Sequence, residues 1–181
     1  PNIPKVLNIA VEPEQCWHQI ADHCMVISNI EKLELIDNLF RLLDVEKPNK
    51  APTVYRPLTW EQIREMVAGG LDIGSHSHSH PILTQLEGSE LQRELFYSRS
   101  LIEKRLACNV RAFCYPNGQQ VDFNERIKSE VRDSGYEYAV AAFPGADTLG
   151  DRWAINRYPV SSSTSSLEKT LFGLTYLNSN R

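Results

Sequence analysis

The chain has 181 residues, 41% of them hydrophobic and 23% charged, with a formal charge of −4 at pH 7. This is the composition of one ordinary globular domain, or of a domain with a small appendage, and it excludes wholesale disorder and a collagen-like or coiled-coil rod. The acidic balance argues against nucleic acid as a partner, and the sequence contains neither an apolar run long enough to cross a membrane nor a signal-peptide core.

In chain order, residues 6–11 are a first apolar run with strand character. Ser28 and Glu31 make a capping box, in which each side chain satisfies an orphan backbone donor of the other residue. They predict a helix with Leu33, Ile36, Phe40 and Leu43 on a core-facing stripe. Pro48, Pro52 and Pro57 keep the next stretch irregular. Thr59 and Gln62 form a second box before a helix carrying Trp60, Ile63 and Val67 on one face, and Gly69-Gly70 stops it. Ser89 and Gln92 open the longest predicted helix, with Leu91, Leu95, Ser98, Ile102 and Leu106 as its buried stripe. Asp122 and Glu125 start another, with Phe123, Ile127 and Val131 inward and Gly135 just beyond its end. Leu167, Leu171 and Leu174 predict a last helix, after a serine-rich loop over residues 161–166. Short strands are expected at 71–75, 110–115, 136–141 and 154–160. Strands alternating with helices mean βα units and a parallel sheet or barrel.

The four cysteines, Cys16, Cys24, Cys108 and Cys114, have no CxxC spacing, so neither a disulfide framework nor a cysteine zinc site is expected. Histidine is where the chemistry concentrates. His76, His78 and His80 alternate with Ser77 and Ser79 directly after a predicted strand, where active sites favour loops. Imidazole suits zinc, nickel, copper or iron, and the small serines leave room for rings to converge. One helical turn would bring His76 and His80 together; an extended loop would put all three rings on one face. Spacing alone does not choose between them. A second strand ends in Cys114-Tyr115-Pro116-Asn117-Gly118, a strong turn signal that can aim a backbone N–H at a pocket.

The segments LTWEQIREMVAGGLDIGSHSHSHPIL, RAFCYPNG, VRDSGYEYAVAAFPG and WAINRYPV together resemble the polysaccharide deacetylases, the NodB-homology domain of carbohydrate esterase family 4, over residues 57–160. The resemblance implies an incomplete or distorted (β/α) barrel with a helical N-terminal segment, residues 1–56 preceding a NodB-like core at 57–181. It implies His76 and His80 as ligands of a divalent metal, zinc as first choice, with Ser77 bracing the loop and His78 in a variable slot. It places the backbone N–H of Asn117 as an oxyanion donor and Tyr115 and Pro116 at the substrate. Cys114 occupies a slot where many members carry arginine, and Arg157 is a rim residue.

The family's Thr-Phe-Asp-Asp-Gly motif, source of a third metal ligand and a general base, is absent, as is its late Leu-x-His motif. With Pro1 in place of a methionine, the chain is expected to lack the first strand or strands of the barrel. The implied activity is metal-dependent removal of N-acetyl groups from a polysaccharide or oligosaccharide, impaired in this chain. A catalytically silent glycan-binding or scaffolding domain and a hydrolase of a non-glycan amide are the alternatives. The unclosed barrel is expected to expose strand edges and favour self-association. The compartment is left open.

Overall fold

The computed structural model describes residues 10–143, 150–158 and 163–172. The chain divides into two compact units, Pro1–Pro57 and Leu58–Arg181.

In the first unit, α1 (Pro13–Cys24) begins with proline in its first turn, where the missing N–H costs no hydrogen bond. The Ser28 box opens α2 (Asn29–Leu42): Ser28 Oγ accepts from the Glu31 N–H at 3.2 Å, and Glu31 Oε2 accepts from the Ser28 N–H at 2.9 Å. The expected buried stripe is not realised. No residue of α2 is buried, with Leu33 55% and Leu43 48% exposed. Periodicity places apolar residues on one face, but burial also needs an element to lie on it.

The second unit starts at α3 (Trp60–Ala68), whose Thr59–Gln62 box closes in both directions. The longest predicted helix is α4 (Gly88–Gln92), a π-helical turn (Arg93–Tyr97) and α5 (Ser98–Leu106) in succession, with Glu87 rather than Ser89 at its N-cap. Strand β1 (Ala112–Cys114) follows, then α6 (Glu125–Asp133), β2 (Tyr138–Val140) and α7 (Thr164–Leu171). Asn124 caps α6 through its side chain, while Asp122 instead accepts from the Gln119 N–H and closes the preceding loop. Ser163 caps α7, so part of the expected serine loop is helical. Residues 6–9, 159–160 and Leu174 lie outside the described residues.

β1 and β2 pair in parallel, Phe113 opposite Ala139. Single parallel bridges flank them, Ser75 to Phe113 and Val140 to Ile155. Four parallel positions therefore run in chain order, with helices between the first three, as in an arc of a (β/α) barrel. Among the described residues the sheet is unclosed, as in an incomplete barrel. Residues 71–75 and 154–158 form bridges rather than the expected strands, because a ladder extends only as far as a neighbour's backbone runs beside it. Leu91, Leu95, Phe113, Ile127, Val131 and Ala139 are buried between sheet and helices. Each large apolar side chain so buried contributes about 1.5–3 kcal/mol.

Candidate functional site

Because Ser75 and β1 lie side by side in parallel, the loops leaving them emerge on one rim, the end where α/β sheets carry their sites. The histidine loop and the Pro-Asn-Gly turn meet there. His76 Nδ1 is 2.7 Å from the Cys114 carbonyl. A carbonyl only accepts, so the proton sits on Nδ1 and the lone pair on Nε2, the arrangement typical of a ligating imidazole. The rings of His76 and His80 stand edge to face, centroids 4.8 Å apart. His78 leaves the pair and packs edge to face on Tyr97. The structure thus brings together two of the three rings that spacing left open.

The loop is built from sterically demanding backbone. Ser77 and His80 adopt left-handed conformations, φ 65° and 58°. Ser77 Oγ accepts from the His80 N–H at 3.0 Å, closing the turn between the rings. From below, Glu94 on the π-helical turn accepts from the N–H groups of His78 and Ser79, both at 2.8 Å, and from the Ser79 hydroxyl at 2.6 Å. Burial pushes the Glu94 carboxyl up, but these hydrogen bonds outweigh it and hold the group below its ordinary value. Sequence reasoning missed Glu94, although a signal was present. Leu91, Glu94, Leu95 and Ser98 follow one helical face, and a carboxylate on an otherwise buried stripe needs a partner.

Cys114 serves the site twice. Its carbonyl orients His76, and its thiol receives a hydrogen bond from Arg157 Nη1 at 2.9 Å. The His76 imidazole is held above its ordinary value, first by a hydrogen bond to the Cys114 side chain. Burial acts against that shift, and the Cys114 carbonyl reinforces it. Arg157, expected on the rim, therefore reaches this cluster.

Tyr115 and Pro116, expected at the substrate, are both fully buried, Tyr115 at 1% exposure. The Tyr115 ring stacks on Phe123 with centroids 4.1 Å apart, and its hydroxyl donates to the Trp153 carbonyl at 2.7 Å. Strand alternation explains this: Phe113 and Tyr115 share the core face of one strand. Asn117 has φ 58°, and its backbone N–H has no acceptor among the described residues. Gly118 follows at φ 69°, where an added Cβ would come within 2.9 Å of the Ala142 nitrogen. The turn can only pass there as glycine.

Two imidazoles, one with its tautomer fixed by the Cys114 carbonyl, suit a borderline divalent cation. Among the described residues, however, no group of three or more His, Cys, Asp or Glu side chains could hold a metal ion.

A family profile described as polysaccharide deacetylase matches residues 19–139, reaching back into the helical segment before residue 57. The Bacillus subtilis (strain 168) protein YxkH, assigned by its name to the polysaccharide deacetylases, is 30% identical over 109 residues, covering 60% of this chain and 38% of that protein. The Streptococcus pyogenes deacetylase PplD, solved in complex with acetate, is similar with a TM-score of 0.58 and 25% identity, covering 66% of this chain and 52% of that one. A polysaccharide deacetylase from Bacillus cereus shares the fold, with a TM-score of 0.54, 21% identity and coverage of 74% and 46%. This chain spans about half the length or less of each of these relatives.

Proposed function

Because the chain belongs to the polysaccharide deacetylase family, as its match over residues 19–139 shows, we propose that it serves the hydrolysis of N-acetyl groups on a polysaccharide or oligosaccharide. The observation that carries this reading is the edge-to-face pair of His76 and His80, one ring oriented by the Cys114 carbonyl, on the rim of a parallel sheet. The acetate bound to the similar S. pyogenes deacetylase is the acid such a reaction releases.

His76, through Nε2, and His80 would hold a divalent cation, with zinc as first choice. When bound, such a cation polarises a carbonyl and brings the pKa of water near neutrality. The remaining work falls to the chain. The Cys114 carbonyl keeps the His76 ring in place, and the Ser77 and Glu94 contacts set the loop that carries both rings. The Asn117 N–H supplies a donor for the oxyanion that forms when water adds to the acetamide carbon. Collapse of that adduct breaks the C–N bond, leaving acetate and an amine on the sugar.

The described residues add neither a third ligand nor a carboxylate beside the pair to accept the water proton. Turnover by this chain alone is therefore expected to be low. The same observation favours a second reading, a domain of this fold that binds an acetylated glycan without hydrolysing it. Acetate release from N-acetylglucosamine oligomers with added Zn²⁺, measured alongside calorimetric binding of the oligomers, separates the two. The deacetylase reading expects slow release that His76→Ala and His80→Ala abolish; oligomer binding unchanged by both variants and with no release would replace it.

A further inference from the structure

The two imidazoles are separated by three residues whose backbone is held by one carboxylate. Glu94 Oε2 takes two of the three intervening N–H groups, those of His78 and Ser79, and the other oxygen takes the Ser79 hydroxyl. Glu94 is only 7% exposed although ionisable, and it meets three donors and no acceptor among these contacts. An acceptor-only group is what three converging donors require.

Its platform is specialised as well. The helix widens into a π turn at Arg93–Tyr97, a feature that recurs at functional sites. The Leu95 carbonyl there is taken by the Tyr136 hydroxyl at 2.9 Å and the Glu94 carbonyl by Ser98 Oγ at 2.7 Å. The turn is thus braced from the core side while Glu94 reaches the loop. The loop above it needs such an anchor. Left-handed backbone at two non-glycine residues, Ser77 and His80, is strained and persists only where the surroundings impose it.

We propose that Glu94 is a positioning residue that sets the relative placement of the His76 and His80 rings by clamping the backbone between them. The inference rests on the reading of that pair as the site. It differs from a packing role in one checkable respect. Packing requires a side chain of this size, whereas clamping requires an acceptor.

Glu94→Leu keeps the volume and the helix and removes the acceptor; Glu94→Gln keeps an oxygen for the two N–H groups. In native-state hydrogen exchange without metal, Glu94→Leu is expected to lower protection of the His78 and Ser79 amides about tenfold or more, with the Ala139 and Ala141 amides unchanged. Glu94→Gln should restore it. In competition titrations with Zn²⁺, Glu94→Leu is expected to weaken binding about 10–100-fold, the range for partners that orient ligands, and Glu94→Gln by only a few-fold. Should Glu94→Leu fail to fold, Ser79→Ala, which removes only the hydroxyl contact, is expected to shift both readouts the same way by a smaller factor. Wild-type protection of the two amides in Glu94→Leu, or in Ser79→Ala if only that variant folds, overturns the clamp. A wild-type chain that binds no Zn²⁺ overturns the metal reading of the pair instead, and the exchange data then stand on the clamp alone.

Discussion

The hydroxyls of Ser75 and Ser98 lie 2.8 Å apart, both buried, and join the base of the histidine loop to the helix beneath it. Ser98 Oγ also lies 2.7 Å from the Glu94 carbonyl, so this pair couples the strand position that launches the loop to the turn that clamps it.

Ser98→Ala is expected to destabilise the protein. The Ser75 hydroxyl loses its partner in the core, a defect worth about 1–3 kcal/mol. The Tyr136 hydroxyl keeps its donation to the Leu95 carbonyl, so the cost should fall at the low end, about 1 kcal/mol. Urea denaturation should show a lower midpoint at unchanged slope; an unchanged midpoint would remove this contact from the account.

Tyr115 separates packing from hydrogen bonding. Tyr115→Phe keeps the stack on Phe123 and loses the donation to the Trp153 carbonyl, an expected cost of about 1 kcal/mol. Tyr115→Ala also empties a fully buried site and should cost about 3–5 kcal/mol. Equal losses in thermal or chemical denaturation would contradict the assignment of this ring to the core.

Two glycines with positive φ should respond differently to alanine. At Gly88, φ 51°, nothing lies within 4 Å of an added Cβ, so Gly88→Ala carries only the conformational cost, about 1 kcal/mol. At Gly118 the same Cβ also meets Ala142 backbone at 2.9 Å, and Gly118→Ala should cost about 2–4 kcal/mol. Comparing the two unfolding midpoints is the test; similar losses would mean that the turn after β1 yields.

Stability should fall at both ends of the pH scale for different reasons. Burial pushes the Asp151 carboxyl up, but hydrogen bonds from Lys128 Nζ at 2.6 Å and the Trp153 N–H, with the lysine charge, bring it below its ordinary value of 3.8. A folded-state pKa below the unfolded one gives stability that is present above the unfolded value and lost as pH falls through the folded value. Asp151→Asn should therefore flatten the acid limb of stability against pH. The Tyr115 phenol is pushed up, first by burial and then by the Asp151 and Glu125 charges. Its contribution is complete below the unfolded value near 10 and is lost as pH rises beyond it, because only the unfolded chain then releases the proton. Tyr115→Phe should flatten the alkaline limb; parallel limbs in variant and wild type would refute the assignment.

Much of this was legible in the chain. Capping pairs at Ser28–Glu31 and Thr59–Gln62 start helices because the side chains that satisfy the first backbone donors lie three residues away. Likewise, the runs around Phe113 and Ala139 become parallel strands because apolar segments separated by a helix have few other ways to be buried. The polysaccharide deacetylase resemblance, read from the histidine loop and RAFCYPNG, agrees with the family match. The burial of Tyr115, the exposure of Leu33 and the clamp at Glu94 were not legible, since each depends on which distant element lies opposite.

By itself, the sequence determined the βα order, the capping boxes at Ser28 and Thr59 and the family, because these depend on residue types and on spacings within a single element. It also supplied three candidate rings at His76, His78 and His80. Only the tertiary structure shows which of them lie together. The Cys114 carbonyl, 38 residues away in the chain, orients one ring, and the Glu94 carboxylate holds the backbone between it and His80. Those contacts exist only once a helix and a neighbouring strand have packed beneath the loop, a condition that periodicity within the loop cannot express.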